Sequence, residues 1–266
     1  MPSEMTMPEI LRWHIDAGAD ECIGETPVNR FAEVAPAAEP APAAQPRSAV
    51  RAAAVPPSGM PETRGAPVDK AMLSEERAVK SAVQLAQAAT DIAGLRAALE
   101  TFDGCPLKKT ATNLVLCDGP ATAKLMFVGE APGAEEDRQG VPFVGPSGHL
   151  LDAILASVGI TRSDVIISNT VFWRPPGNRT PSSVETAVCQ PFIERLIEIV
   201  DPKILVCIGG PAAKVLLGVT QGVGRMRGKW FEYSSLGLTH PVAATVIFHP
   251  AYLLRTPMMK RETWKD

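Results

Sequence analysis

Four short apolar runs, at residues 124–128, 164–169, 203–208 and 244–248, constrain this chain more than any other feature. Each is rich in β-branched or aromatic residues and too uniformly apolar to leave one face in water. Helical patterns lie between them, at 147–158, at 182–200 behind the turn signal R-T-P-S-S, and at 211–217. Strands buried on both faces and alternating with helices predict an α/β fold. The expected architecture is a three-layer α/β/α sandwich around a central four-stranded parallel sheet. Ligands of such sheets bind beyond the carboxyl ends of the strands. Four unusual loops occupy those ends: G-E-A-P-G at 129–133, N-T-V-F-W-R-P-P-G-N-R-T-P at 169–181, G-G-P-A-A at 209–213 and H-P-A-Y-L-L-R at 249–255. They are expected to converge on one cleft.

The rest of the chain reads differently. Residues 71–101 predict helix, broken near Thr90 and Asp91, where a cap restarts it. Residues 32–70 contain no Leu, Ile or aromatic residue but eight prolines. Such a stretch cannot bury enough apolar surface to order itself. The expected organisation is a short N-terminal helical segment (1–30), a disordered Pro/Ala-rich linker (31–70) and one domain (71–266). Within the first segment, Ile10, Leu11, Trp13 and Ile15 give residues 8–17 an apolar side. It would act as a tethered docking element for a protein partner, or as a bystander. No apolar run approaches 18 residues and no leader pattern opens the chain, so a soluble cytoplasmic monomer is expected. The five scattered cysteines predict thiols or metal ligands rather than disulfides. The net charge of −3 hides a basic C-terminal quarter, with nine Lys and Arg against three acids after residue 201. That quarter could meet a polyanion, or be an ordinary solvated face.

Within the loops, residue types suggest roles. Gly129 and Gly133 permit a tight turn that presents backbone N–H groups. The pattern is neither a G-x-G-x-x-G fingerprint nor a Walker loop. Asn169 ends a buried strand, where its amide either caps its own loop or offers a donor and an acceptor to the edge of a base. Arg174 and Arg179, stiffened by neighbouring prolines, suit phosphate contact. His249 stands before Pro250 at a strand end, either structural or catalytic. Leu253 and Leu254 are core, or an apolar wedge with Arg255 as phosphate anchor.

Taken in order, G-E-A-P-G, P-F-V-G, N-x-x-x-x-R-P-P-x-N-R-T-P and H-P-A-Y-L-L-R resemble the uracil-DNA glycosylases of family four, the iron–sulfur type, over about residues 102–264. The resemblance implies a DNA repair hydrolase, nucleoid-associated when at work, that flips uracil out of DNA and leaves an abasic site. Phe143 would stack on the base and Asn169 pair with its O4/N3 edge. Backbone around Glu130 and Ala131 would hold the other edge. His249 would stabilise the departing uracil anion through O2, and Glu130 is the nearest carboxylate to the sugar. Leu253, Leu254 and Arg255 would support the gapped helix. More active relatives carry an Asp at the position of Ala131, and a thymine-blocking Tyr at that of Gly133. Here Glu136 would line that side.

One departure concerns the family's [4Fe–4S] cluster. Of its four cysteine positions, Cys105 and Cys189 match two. The other two hold Phe102 and Trp173, and two thiolates do not hold such a cluster in the usual way. No cofactor is therefore expected, with the aromatic rings filling that space. Two alternatives stand beside the enzyme. One is a uracil-DNA binder that does not turn over. The other is a metal-dependent nucleotide or phosphate enzyme using Glu135, Glu136 and Asp137 as ligands.

Overall fold

The structure, a computed structural model, describes residues 70–266. The N-terminal helix and the linker expected before them lie outside the described residues. The described part opens with α1 (Lys70–Ala88) and α2 (Ile92–Thr101). The break between them falls where expected. Asp91 caps α2, its carboxylate accepting from the Gly94 N–H at 2.7 Å.

Six strands follow: β1 (Cys117–Asp118), β2 (Leu125–Gly129), β3 (Val165–Asn169), β4 (Ile204–Ile208), β5 (Trp230–Tyr233) and β6 (Val242–Ile247). Their order across the sheet is β1-β3-β2-β4-β6-β5. The inner four are parallel and are the four apolar runs. β1 and β5 add antiparallel edges, so the sheet has two more strands than the sequence suggested. An edge strand needs only one partner and one buried face. β5 alternates accordingly, from exposed Trp230 to buried Tyr233.

The helices between are α3 (Ala134–Gln139), α4 (Pro146–Ser157), α5 (Ser183–Val200), α6 (Gly210–Leu217), α7 (Val223–Met226), α8 (Pro250–Arg255) and α9 (Lys260–Lys265). Strand alternation divides the core into two layers. Met126, Val128, Ile166 and Leu205 face α1, α2 and α5. Phe127, Ile167, Val206 and Ile247 face Leu151 and Leu155 of α4. Each such side chain contributes about 1.5–3 kcal/mol by leaving water. Parallel register brings the strand ends level, with Gly129 opposite Asn169 and Ile208 opposite Ile247. The chain moves from β2 to one side and then returns to the other, which opens a crevice beyond the end of β2.

Candidate active site

A cleft of about 1000 Å³ occupies that crevice. The four loops picked from the sequence all reach it. Phe143, Asn169 and His249 line it together with Glu130, Ala131 and Gly133. Glu136, Arg179 and Arg255 contribute further wall, as does the Gly209–Gly210 turn ahead of α6.

The acidic row is not loop but the first turns of α3, where negative charge suits the helix dipole. Its members diverge. The Glu136 carboxylate accepts the N–H groups of Val144 at 3.0 Å, Gly145 at 2.9 Å and Gly133 at 3.1 Å. Asp137 accepts those of Thr112 and Asn113 at 2.8 and 3.2 Å. Glu135 pairs with Arg138. The suggestion that these three acids share a metal ion therefore finds no support. No group of three His, Cys, Asp or Glu among the described residues is placed to hold one.

Phe143 and Asn169 close over the end of β2 because residue 129 is glycine. A Cβ there would lie 2.5 Å from Asn169 Oδ1 and 2.6 Å from the Phe143 ring. Asn169 is 1% exposed, and its Oδ1 has no hydrogen-bond partner in the protein. An orphaned buried acceptor costs on the order of 1–3 kcal/mol. Glu130 Oε1 is likewise buried and unpaired. Burial raises the Glu130 carboxyl above its ordinary range, opposed by a hydrogen bond from Thr180. The Glu130 carbonyl also accepts from the Thr170 hydroxyl at 2.8 Å and the Val171 N–H at 3.1 Å, joining the first two loops.

His249 is the N-cap of α8, its Nδ1 accepting from the Ala251 N–H at 3.1 Å. Burial and the neighbouring Arg255 charge depress its pKa to about 4, with Glu136 opposing weakly. The ring is thus neutral at pH 7. With Nδ1 engaged as acceptor, the proton sits on Nε2. Its face lies 5.8 Å from the Phe143 ring, centroid to centroid.

At the rim, Arg179 makes a bidentate pair with Glu185, at 2.8 and 2.7 Å. Arg174 donates to Asn178 at 2.7 Å and does not line the cleft. The Leu253–Leu254 pair needs a correction. Successive helical residues point about 100° apart, so α8 buries Leu253 completely and leaves Leu254 outside at 43% exposure. Leu253 is part of the core, and Leu254 is the one left at the surface.

The sequence also left three residues in or behind this site unassigned. Thr180 and Tyr252 sit inside quoted motifs, but nothing local marks their partners. Tyr252 stacks on Phe248 at 5.0 Å, and Arg227 lies over that ring at 5.4 Å. Arg162, in the turn before β3, carries no sequence signal at all.

The cluster positions lie in the core under α1, α2 and α5. Phe102, Cys105, Trp173 and Cys189 are all buried there. Phe102 packs on Phe192 at 5.1 Å, and Trp173 meets Phe172 edge-on at 6.4 Å. The two sulfurs are 4.0 Å apart. Contact with Cys105, together with burial, pushes the Cys189 thiol well up. Cys117 and Cys207 lie on β1 and β4, and burial pushes them up to about 11 and 12. Two thiols and two rings do not fit a four-thiolate cluster.

A family model described as the uracil DNA glycosylase superfamily matches residues 117–266. The chain is similar to the Type-4 uracil-DNA glycosylase of Pyrobaculum aerophilum, with 37% identity covering 66% of this chain and 91% of that protein. The Type-4 uracil-DNA glycosylase of Archaeoglobus fulgidus is 40% identical over 61% of this chain and 82% of its own length. That of Thermotoga maritima is 41% identical over 57% and 77%.

Proposed function

The chain belongs to the uracil DNA glycosylase superfamily, and from that premise we propose that it hydrolyses the N-glycosidic bond of uracil in DNA and leaves an abasic site. One observation carries this: a neutral His249 with its proton on Nε2 shares a cleft with the unpartnered Asn169 amide and the Phe143 ring.

A base inside a duplex cannot reach such a recess, so the uridine is flipped into it. Phe143 stacks on the ring. The Asn169 amide accepts from uracil N3–H and donates to O4. Cytosine presents the opposite pattern at both atoms and is refused. Backbone around Glu130 and Ala131 holds the remaining edge, and Gly133 and Glu136 shape the side near position 5. As C1′–N1 breaks, the electron pair leaves with the base and collects partly on O2. His249 Nε2–H donates there without surrendering its proton. The Glu130 carboxylate stabilises the positive charge on the sugar until water adds to C1′ and releases a proton. Arg179, Arg255 and Leu254 hold the surrounding DNA backbone and the vacated stack, with Arg174 farther out.

No step passes through a metal cluster, because Phe102 and Trp173 occupy two of the family's four ligand positions. The enzyme domain is 71–266, and the N-terminal segment is a tether for a partner. Deleting residues 1–70 should leave excision unchanged, and an inactive fragment would place that segment in the domain.

The deciding experiment is a gel assay of a uracil-containing oligonucleotide, treated with alkali after incubation in EDTA. Strand breaks confined to uracil are expected. No breaks, or breaks only with a divalent ion, would favour the metal-dependent alternative.

A further inference from the structure

Phe143 has φ +53°, a left-handed backbone that an aromatic residue adopts only when its surroundings impose it. What imposes it is visible on both sides. Glu136 takes the N–H groups of the next two residues, Val144 and Gly145. Behind, one guanidinium takes two carbonyls: Arg162 donates to that of Phe143 itself at 2.9 Å and to that of Pro142 before it. The guanidinium is itself fixed. Its Nε meets Asp118 of β1 at 2.5 Å and its Nη1 meets Asp152 of α4 at 3.1 Å. Arg162 does not line the main cleft. It borders a second hollow on the far side of Phe143.

We propose that Arg162 is a positioning residue for base recognition, which sets the height and tilt of the Phe143 ring by gripping the carbonyls of residues 142 and 143, with Asp118 and Asp152 gripping Arg162 in turn. This rests on Phe143 being the stacking platform for uracil. A planar fork suits the task, since it serves two adjacent carbonyls and two carboxylates at once. A lysine ammonium cannot match those directions. The competing explanation is a staple that merely ties the sheet edge to α4.

A double-mutant cycle on the full chain separates the two, using single-turnover excision from a uracil-containing duplex with thermal unfolding alongside. The wild-type protein must first excise uracil; if it does not, both the site's function and this proposal fall. Given excision, Arg162→Met should lower the ratio of maximal rate to half-saturating DNA concentration between roughly tenfold and a hundredfold, as misplacement of a positioning group does. Arg162→Lys should recover only part. In a Phe143→Ala background Arg162→Met should change that ratio less than about twofold, because residues that act as one unit are not additive. Equal losses in both backgrounds would overturn the proposal. So would an Arg162→Met enzyme that melts earlier yet keeps the wild-type ratio. Should Arg162→Met fail to fold, Asp152→Asn keeps the donors and loosens their anchor. It should show the same dependence on Phe143 at smaller size, and an additive effect there would equally overturn the proposal.

Discussion

His249 is a residue whose chemistry depends strongly on its surroundings. An unfolded histidine titrates near 6.5, whereas here it titrates at about 4. Between those values the unfolded chain binds the extra proton and the folded chain does not. Stability therefore rises with pH across that window and is lost as the solution is acidified, by an upper figure of about 3 kcal/mol. Urea melts at pH 7.5 and 5 should show a smaller loss for His249→Ala than for wild type. The same variant should slow single-turnover excision about a hundredfold while binding uracil-containing DNA nearly as well. Equal loss of rate and binding would assign His249 to substrate contact instead. Asn169→Asp replaces a donor–acceptor pair by two acceptors. It should cost uracil excision about 1–3 kcal/mol or more, and relax the bar against cytosine. Unchanged rate and selectivity would remove Asn169 from base recognition. The motifs around these residues were legible in the sequence. The protonation of His249 was not, because its burial and the approach of Arg255 come from distant elements folding together. Nor could the sequence tell Leu253 from Leu254, since two adjacent leucines look alike until a helix turns one inward.

Among the elements, α4 shows how closely loop and helix are matched. A Cβ on Gly148 would sit 1.8 Å from the Phe143 carbonyl, a clash with backbone that no rotamer relieves. Gly148→Ala should therefore destabilise the domain by about 1–3 kcal/mol and lower its Tm by roughly 2–12 °C. Excision should suffer at temperatures where the fold survives. A wild-type melting curve with normal activity would mean that the helix can slide outward at little cost. The four inner strands were readable because burial on both faces leaves an unbroken apolar run. The edges were not. β1 has only two residues, and β5 mixes Trp230 and Glu232 on its open side with one buried tyrosine. The acids of α3 looked like a ligand cluster because a six-residue helix between glycines gives no periodic signal. Only the fold shows Glu136 and Asp137 turned toward backbone amides.

At the scale of the whole molecule, the core beneath α1, α2 and α5 closes around aromatic rings where the family places metal ligands. Each of Phe102 and Trp173 contributes about 2–3 kcal/mol by burial, in place of the covalent staple a cluster provides. Protein purified without oxygen should be colourless near 400 nm, contain no stoichiometric iron or sulfide, and excise uracil. About four irons per chain would show that other cysteines serve as ligands. The topology carries a different consequence, in the order of synthesis. The cleft draws its walls from residues as far apart as Glu130 and Arg255. β6 must insert between β4 and β5, although it is translated after both. A domain folds as a unit, and its last strands must be made before it can close. Phe143 and Asn169 are therefore made well before His249, which follows β6. A chain cut before β6 lacks the His249 and Arg255 walls of the cleft. Such a fragment should excise uracil no faster than the His249→Ala enzyme in the same single-turnover assay.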